Sequence, residues 1–188
     1  MLDFPVNESL KDYDFTGLGQ RGIADIIEMV VSKACRDEFM FDELWTYYPA
    51  RSKRSMEDFS LRGDKMTYWY DVKSHDLNGD FCMPNLISID RLRRVINDDS
   101  QELVYIFVDY IMNDIKEIKF LPIHKISHQS LAIQNLGLGV LQLKNAHDPI
   151  IPFEGTKREW ANEFSRMAIA FYEKQAKKFN QLKLKWTM

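Results

Sequence analysis

The sequence predicts a mixed α/β fold, in which a mixed β-sheet is flanked by helices. Apolar residues recur at helical spacing near both ends of the chain, over residues 23–34 and 160–171. Between these segments, alternating or continuous apolar runs are typical of strands, and residues 103–111 are apolar enough for the centre of a sheet. A chain of 188 residues without repeats or linkers is interpreted as one domain over residues 1–188.

Composition indicates a cytoplasmic protein with no membrane partner. No apolar run approaches the roughly 20 residues that span a bilayer, and no signal pattern opens the chain. Cys35 and Cys82 have neither zinc-like spacing nor a disulfide framework, so both are interpreted as small core or loop residues.

Charge argues only weakly against nucleic-acid binding. The net charge is -3, whereas dedicated nucleic-acid binders are usually basic. A cleft with one basic face needs only local charge, however. Three clusters of basic residues could supply such a face: Arg51, Lys53 and Arg54; Arg91, Arg93 and Arg94; and, in the tail, Lys174, Lys177, Lys178, Lys183 and Lys185. The tail cluster is interpreted as a solvated helix face.

The first third of the chain predicts a helix and then a strand. The helix carries its apolar residues on one face, and Glu28 lies on the other side. A solvated surface glutamate is the favoured interpretation of Glu28, with an accessory catalytic acid as the alternative. An aromatic strand or strand-turn is predicted over residues 39–48, and Pro49 ends it.

A β-hairpin is predicted within residues 56–73. Apolar and polar residues alternate over 59–62, while residues 67–72 are rich in aromatic and β-branched types. Gly63-Asp64 marks the turn between these strands. Such a hairpin would bring Asp58 close to Asp71 and Lys73.

The remaining elements follow from shorter signals. Ser88 is a plausible N-cap for a helix over residues 89–96, and Thr156 with Glu159 forms a capping box for the closing helix. Residues 74–83 are predicted as a loop with an Asn78-Gly79 turn, and residues 124–139 as irregular or briefly helical. Further strands are predicted over 115–120, antiparallel to the central strand and ended by Pro122, and over 140–144.

Two carboxylates and an ammonium group in one place suit metal-assisted phosphodiester hydrolysis. Asp58 and Asp71 would hold a hard divalent cation, and Lys73 would support the attacking water. Asp-x-Lys alone is a weak signal, since a surface charge pair at a strand end gives the same pattern. Asp58 on the partner strand, the buried-looking strand before Lys73 and the downstream arginine-rich helix strengthen it.

Other catalytic patterns are weaker. The sequence contains no Gly-x-Ser-x-Gly and no Walker A motif. The four histidines show no convincing metal-ligand pairing and are interpreted as surface or loop residues. They are His75, His124, His128 and His147.

Several motifs together resemble the PD-(D/E)XK type II restriction endonucleases. Asp58 lies thirteen positions before Asp71-Val72-Lys73, and Pro84-Asn85-Leu86-Ile87-Ser88 follows downstream. Val108-Asp109-Tyr110 and the stretch over residues 153–161 also match, so the resemblance spans residues 57–175. One departure is Glu57, which replaces the nominal proline of the family.

This resemblance implies a restriction-endonuclease-like fold and a catalytic Mg²⁺ held by Asp58, Asp71 and the Val72 carbonyl group. Lys73 would orient or activate the attacking water. Residues 74–85 would form the recognition loop, with Asn85 reading bases in the major groove. Ser74, Gln142 and Lys144 are further candidates for DNA contact.

The resemblance also implies partners and a setting. Family members act in prokaryotes as homodimers on short palindromic duplex sites, and each subunit cuts one strand. A gene for a cognate DNA methyltransferase is expected nearby, because the host must protect its own sites.

Two alternatives remain open. One is a nuclease of the same fold used in repair, or as one nicking subunit of a heterodimer. The other is a DNA-binding subunit whose site is vestigial, against which the intact Asp58, Asp71 and Lys73 count. A neighbouring methyltransferase gene would favour restriction over both.

Overall fold

The computed structural model of the chain describes residues 12–39, 43–52, 55–79, 84–112, 114–145 and 147–186. The described helices are α1 (Gln20–Phe39), α2 (Ile89–Ile96) and α3 (Lys157–Lys185). The described strands are β1 (Thr46–Pro49), β2 (Phe59–Arg62), β3 (Thr67–Asp76), β4 (Asn85–Ser88), β5 (Gln101–Ile111), β6 (Asp114–Pro122), β7 (Leu131–Gln134) and β8 (Val140–Leu143). A mixed β-sheet flanked by helices is therefore confirmed.

Five strands form the main sheet, in the order β1-β2-β3-β5-β6. β3 and β5 are parallel, while the other neighbouring pairs are antiparallel. The predicted hairpin is β2 with β3, in which Phe59 lies opposite Tyr70. β5 has a neighbour on each side, as its apolar sequence predicted, and β6 ends at Pro122 as predicted.

Both faces of the main sheet are covered, because β5 contributes side chains to two cores. Tyr105 and Phe107 pack with α2, the first turns of α3 and the second sheet. Ile106 and Val108 pack with α1, where Cys35 is also buried. A strand buried on both faces shows a continuous apolar run rather than alternation, which explains the sequence of β5. Cys82 lies outside the described residues.

A second, antiparallel sheet has the order β4-β8-β7 and packs on the core that contains α2. Two 3₁₀ turns, Ile123–Lys125 and His128–Ser130, connect β6 to β7. The prediction that residues 124–139 are irregular is thus wrong for β7, which is too short to show a clear alternation. The strand predicted over 140–144 is confirmed as β8.

Two predicted boundaries are wrong. Residues 74–76 belong to β3 rather than to a loop, because parallel pairing with β5 continues as far as Asp76. Phe39 ends α1 instead of opening a strand, and β1 begins only at Thr46. Residues 40–42 and 80–83, on which parts of those predictions fall, lie outside the described residues.

The helix termini follow the predicted caps in part. Thr156 Oγ1 accepts a hydrogen bond from the Glu159 N–H group at 3.2 Å, and Glu159 Oε2 accepts one from the Thr156 N–H group at 2.8 Å. The capping box of α3 is therefore confirmed. Ser88 is the N-cap residue of α2, but its side chain makes no capping hydrogen bond.

The first turns of α3 pack into the core through Trp160 and Phe164. Its last turns, from residue 176 to residue 185, are exposed throughout. No helix in the described part of the chain combines the length and apolar character needed to cross a membrane.

Candidate active site

The β2–β3 hairpin brings the two predicted aspartates together. Asp58 immediately precedes β2, and its N–H group donates to the Tyr70 carbonyl oxygen at 2.8 Å, which extends the hairpin by one residue. Asp58 Oδ2 in turn accepts a hydrogen bond from the Val72 N–H group at 2.6 Å. Its carboxyl group is also near enough to that of Asp71 to raise the pKa of Asp71. The prediction that Asp58 lies close to Asp71 is confirmed.

Lys73 completes the predicted group. Successive side chains of a strand point to opposite faces, so Asp71 and Lys73 share one face of β3. Lys73 Nζ donates a hydrogen bond to Asp71 Oδ1 at 2.6 Å. The Lys73 side chain is 22% exposed and that of Asp71 is 8% exposed. The ammonium group is therefore held against a buried carboxylate, in a position where a partly open lysine can reach a ligand.

Burial is the main influence on the Asp71 carboxyl group. It raises the pKa of Asp71 to about 7, while the Lys73 ammonium group opposes the shift and the charge of Asp58 adds to it. Two carboxyl groups this close are costly to ionise together without a cation. A bound divalent cation would favour the ionised form of both, so metal and protons compete for this site.

Glu28 is a third carboxylate at this place, which the favoured interpretation of the sequence missed. Its side chain is exposed on α1, yet it interacts with the Asp58 carboxyl group. Desolvation, followed by the charge of Asp58 and a hydrogen bond with it, raises the pKa of Glu28 to about 7. The packing of α1 on the sheet creates this contact, and helical periodicity alone could not show it.

The residues present fit a Mg²⁺ ion. Asp58 and Asp71 offer carboxylate oxygens, and the Val72 carbonyl group remains a candidate third ligand. Within the described residues, no three His, Cys, Asp or Glu side chains are arranged as a complete metal-binding set. Mg²⁺ is commonly held by only one or two carboxylates, with water and phosphate oxygens filling the other positions. Two converging carboxylates therefore match its requirements.

Two clefts border the β3 face that carries these residues. The first, here called the lysine cleft, has a volume of about 640 Å³ and is lined in part by Lys73, Ser74 and His75. The second, here called the arginine cleft, has a volume of about 540 Å³. Its lining includes Arg51, Arg91, Arg94 and Trp69. Trp69 precedes Asp71 on the same face of β3 and Lys73 follows it, so the carboxylates lie between the two clefts.

The predicted DNA-binding residues fall into two groups. Ser74 lines the lysine cleft. Asn85, Gln142 and Lys144 lie on or beside the second sheet, where the exposed Asn85 accepts a hydrogen bond from Gln142 Nε2. Gln142 is only 7% exposed, which suits it to hold Asn85 rather than to contact a ligand itself. Lys144 is exposed, and its Nζ atom donates to the Gln129 carbonyl oxygen at 2.7 Å.

The prediction that the histidines are surface or loop residues is wrong for His75, which lies within β3. His124 and His128 lie in the 3₁₀ turns that connect β6 to β7, and His147 is exposed. His75, His124 and His128 each lie near a carboxylate and are at most 15% exposed. Strand alternation could have identified His75, because it follows Lys73 by two positions in β3. The pairs and their closest N–O distances are His75–Asp109 at 3.0 Å, His124–Glu102 at 2.9 Å and His128–Glu163 at 3.1 Å.

Tyr105 is a core residue that lies next to the candidate site. It is opposite Asp71 in the parallel pairing of β3 with β5 and is fully buried. Burial first, and the nearby charge of Asp71 second, raise the pKa of Tyr105 well above its ordinary value. Among the described residues its hydroxyl group has no hydrogen-bond partner.

Comparison of the chain with protein-family models and with curated proteins finds no match. The functional interpretation therefore depends on the chemistry of the site itself. That site contains two carboxylates that approach each other, a lysine bonded to one of them, and an open cleft beside the lysine.

Proposed function

We propose that the protein is a Mg²⁺-dependent type II restriction endonuclease that cuts both strands of DNA at a short palindromic site. The observation that carries the proposal is the convergence of Asp58, Asp71 and Lys73 on adjacent strands beside an open cleft. A charge pair that only stabilised the end of a strand would need neither the second aspartate nor the cleft. The combination suits hydrolysis of a phosphodiester.

Each residue has a distinct part in this proposal. Asp58 and Asp71 would hold the Mg²⁺ ion, with the Val72 carbonyl group as a further ligand. When bound, the ion lowers the pKa of water and offsets the charge that develops on the phosphate. Lys73 is kept in place by its hydrogen bond to Asp71 and would orient the attacking water. The burial of Asp71 limits competing water around this pair.

The charge distribution supports a DNA substrate. The net charge of -3 gives no general attraction to DNA, so binding would depend on local basic groups. Arg51, Arg91 and Arg94 gather at the arginine cleft, next to the hairpin. Arginines of this kind contact backbone phosphates and position the duplex, whereas base contacts set the sequence. Exposed Asn85 is the proposed base-reading residue.

The architecture is compatible with this class of enzyme. A mixed sheet with helices on both faces, and an aspartate-lysine pair on one of its inner strands, supports a restriction-endonuclease-like fold. A palindromic site would be cut by a homodimer, because two-fold symmetry of the protein matches that of the DNA. A cognate DNA methyltransferase would protect the sites of the host.

Incubation of the purified protein with plasmid DNA and Mg²⁺ tests the proposal. We expect discrete fragments, whose mapped ends give the recognition site. Asp71→Asn, which removes a ligand of the ion, and Lys73→Ala, which removes the group that orients the water, should each lower the cleavage rate by about 100-fold or more. Gel electrophoresis of single-turnover reactions measures the rates.

The hairpin turn offers a matched control. Asp64 and Lys65 are also a close aspartate-lysine pair, but both are exposed at the turn, so Asp64→Asn and Lys65→Ala should cut at the wild-type rate. Intact DNA across a broad panel of sequences, or wild-type cleavage by Lys73→Ala, would contradict the proposal. With Ca²⁺ in place of Mg²⁺, we expect specific DNA binding without cleavage, because the larger ion accepts looser geometry.

A further inference from the structure

The arginine cleft contains a buried carboxylate that the proposed hydrolysis does not use. Glu57 lines this cleft and is only 9% exposed. Its side chain makes no ion pair or hydrogen bond with any other described residue. A buried charged group is normally paired, so an unpaired carboxylate in the wall of a cleft indicates that a ligand supplies its partner.

Two arginines of the same cleft are also available to a ligand. Arg51 and Arg91 are exposed and have no ion-pair partner among the described residues, whereas Arg94 pairs with Asp90 at 2.7 Å. The cleft therefore presents a carboxylate that accepts hydrogen bonds and guanidinium groups that donate them, without a bond between the two. A ligand that satisfies both must carry hydrogen-bond donors at one end and an anionic group at the other.

Trp69 gives the cleft an aromatic wall. Its indole N–H group donates to Gln101 Oε1 at 2.9 Å, so what it offers to a ligand is ring surface. Met56 and Val95 extend this apolar part of the lining. Nucleobases stack on aromatic side chains of this kind. The volume of the cleft, about 540 Å³, also lies within the range of roughly 300–1,000 Å³ that is typical of small-molecule sites.

Guanine is the nucleobase whose edge best matches the Glu57 carboxylate. Its N1–H group and its N2 amino group are adjacent donors, and one carboxylate can accept from both. Adenine and cytosine place an acceptor beside their amino group, and thymine places its N3–H group between two carbonyl oxygens. Each of these would direct a lone pair towards Glu57. Asp58 follows Glu57 directly in the chain, so a nucleotide in this cleft lies close to the candidate catalytic carboxylates.

We infer that the arginine cleft is a guanine subsite, which receives a guanine nucleotide unstacked from the DNA strand; this inference rests on the proposed nuclease function. Glu57 accepts from the N1 and N2 donors, the base packs on Trp69, and Arg51 and Arg91 bind the flanking phosphates. Unpairing a base has a free-energy cost, which the charge-assisted hydrogen bonds and the aromatic contact offset. Glu57 therefore determines specificity, while the arginines anchor any sequence.

Calorimetric titration of the full chain with single nucleotides, without a metal ion, tests the inference. dGMP should bind at least about 10-fold more tightly than dIMP, which lacks only the N2 amino group, because one hydrogen bond to a charged acceptor is lost. Glu57→Gln keeps the shape of the side chain but presents a donor beside its acceptor, so both nucleotides should bind about equally. Arg91→Ala should weaken both by a similar factor. Arg93→Ala is the matched control, since Arg93 is exposed on the same helix outside the cleft lining, and it should change neither affinity.

A single-stranded oligothymidylate with one central guanine distinguishes a DNA strand from a free nucleotide. It should compete with dGMP and bind at least as tightly, and hypoxanthine in place of its guanine should weaken binding by about 10-fold. Binding of dGMP but not of this oligonucleotide overturns the assignment to DNA. Equal wild-type affinities for dGMP and dIMP, which need no variant to fold, overturn the guanine subsite, as does an undiminished preference in Glu57→Gln. Failure of the proposed function would instead appear as intact plasmid DNA with Mg²⁺, which these binding measurements do not involve.

Discussion

At the scale of single residues, Asp71 is surrounded by groups with opposing effects. Burial favours its protonated form, Lys73 favours the carboxylate, and Asp58 competes for any shared proton. Tyr105 faces it across the β3–β5 pair with an unpaired hydroxyl group, within the described residues. Two carboxyl groups held near each other in this way are costly to ionise together.

Tyr105→Phe tests how much the buried hydroxyl group of Tyr105 lowers the stability of the protein. Removing a buried, unpaired hydroxyl group should raise the free energy of unfolding by about 1 kcal/mol. The reason is that the folded state no longer bears the desolvation cost of a hydroxyl group without a hydrogen-bond partner. Urea denaturation of the metal-free protein measures the change. A loss of stability of about 1 kcal/mol would instead show that an ordered water satisfies the group.

The sequence predicted part of the site at this scale. Asp58, Asp71 and Lys73 were predictable because strand alternation and a tight turn determine which side chains of a hairpin meet. Glu28 and Tyr105 reach the site only through the packing of α1 and the parallel pairing of β5, and neither is encoded in local periodicity. Gln142 was predicted to contact DNA, but its burial was not visible in a four-residue strand.

At the scale of elements, the turn between β7 and β8 depends on glycine. Gly139 has φ +112°, and its carbonyl oxygen accepts a hydrogen bond from the first N–H group of α2, that of Ile89, at 3.2 Å. A Cβ atom at Gly139 would overlap Ile89 Cδ1 and lie 3.0 Å from Phe171. The turn is therefore pressed against both α2 and α3.

Gly139→Ala should lower the free energy of unfolding by more than about 2 kcal/mol, since backbone strain and overpacking act together. Gly137→Ala is the matched comparison in the same turn. Its φ is +57° and nothing lies within 4 Å of the added Cβ atom, so about 1 kcal/mol is expected from strain alone. Chemical denaturation of both variants measures the difference, and equal effects would contradict the role of the contact.

Elements with long periodic patterns were predictable, and short ones were not. The helices α1 and α2 and the strand β5 follow from apolar spacing that extends over two or more turns or many strand residues. The start of α3 follows from the specific residue types of its capping box. β7 has four residues and depends on pairing with β8 for its definition. The extension of β3 to Asp76 likewise comes from its pairing with β5, which the loop-like sequence after Lys73 conceals.

At the scale of the whole molecule, His128 links the second 3₁₀ turn to α3. Its ring centroid lies 4.8 Å from that of Trp160, and its Nδ1 atom lies 3.1 Å from Glu163 Oε2. Burial lowers the pKa of His128 from its ordinary value of 6.5, while the charge of Glu163 opposes the shift. His128 therefore binds a proton less readily in the folded protein than in the unfolded chain.

The sign of the resulting pH dependence follows from this difference. Below about pH 6.5 the unfolded chain binds a proton that the folded protein does not, so the free energy of unfolding falls as the pH falls. His128→Phe should reduce that slope, as measured by urea denaturation between pH 7 and pH 5. Exposed His147→Gln is the control and should leave the slope unchanged. An identical slope in His128→Phe and the wild type would contradict the assignment.

The parallel pairing of β3 with β5 has a consequence for the order in which the chain folds. Fourteen positions separate Asp58 from Val72, whereas thirty-four separate His75 from Asp109. Closing the longer loop costs about 0.8 kcal/mol more in chain entropy. Two parallel strands can also pair only after the segment that connects them has crossed the sheet. The carboxylate pair can therefore assemble within a local hairpin, while the His75–Asp109 pair forms only when β4, α2 and β5 have been added. A folding intermediate that contained only the hairpin would possess the Asp58–Asp71 pair and lack the His75–Asp109 pair.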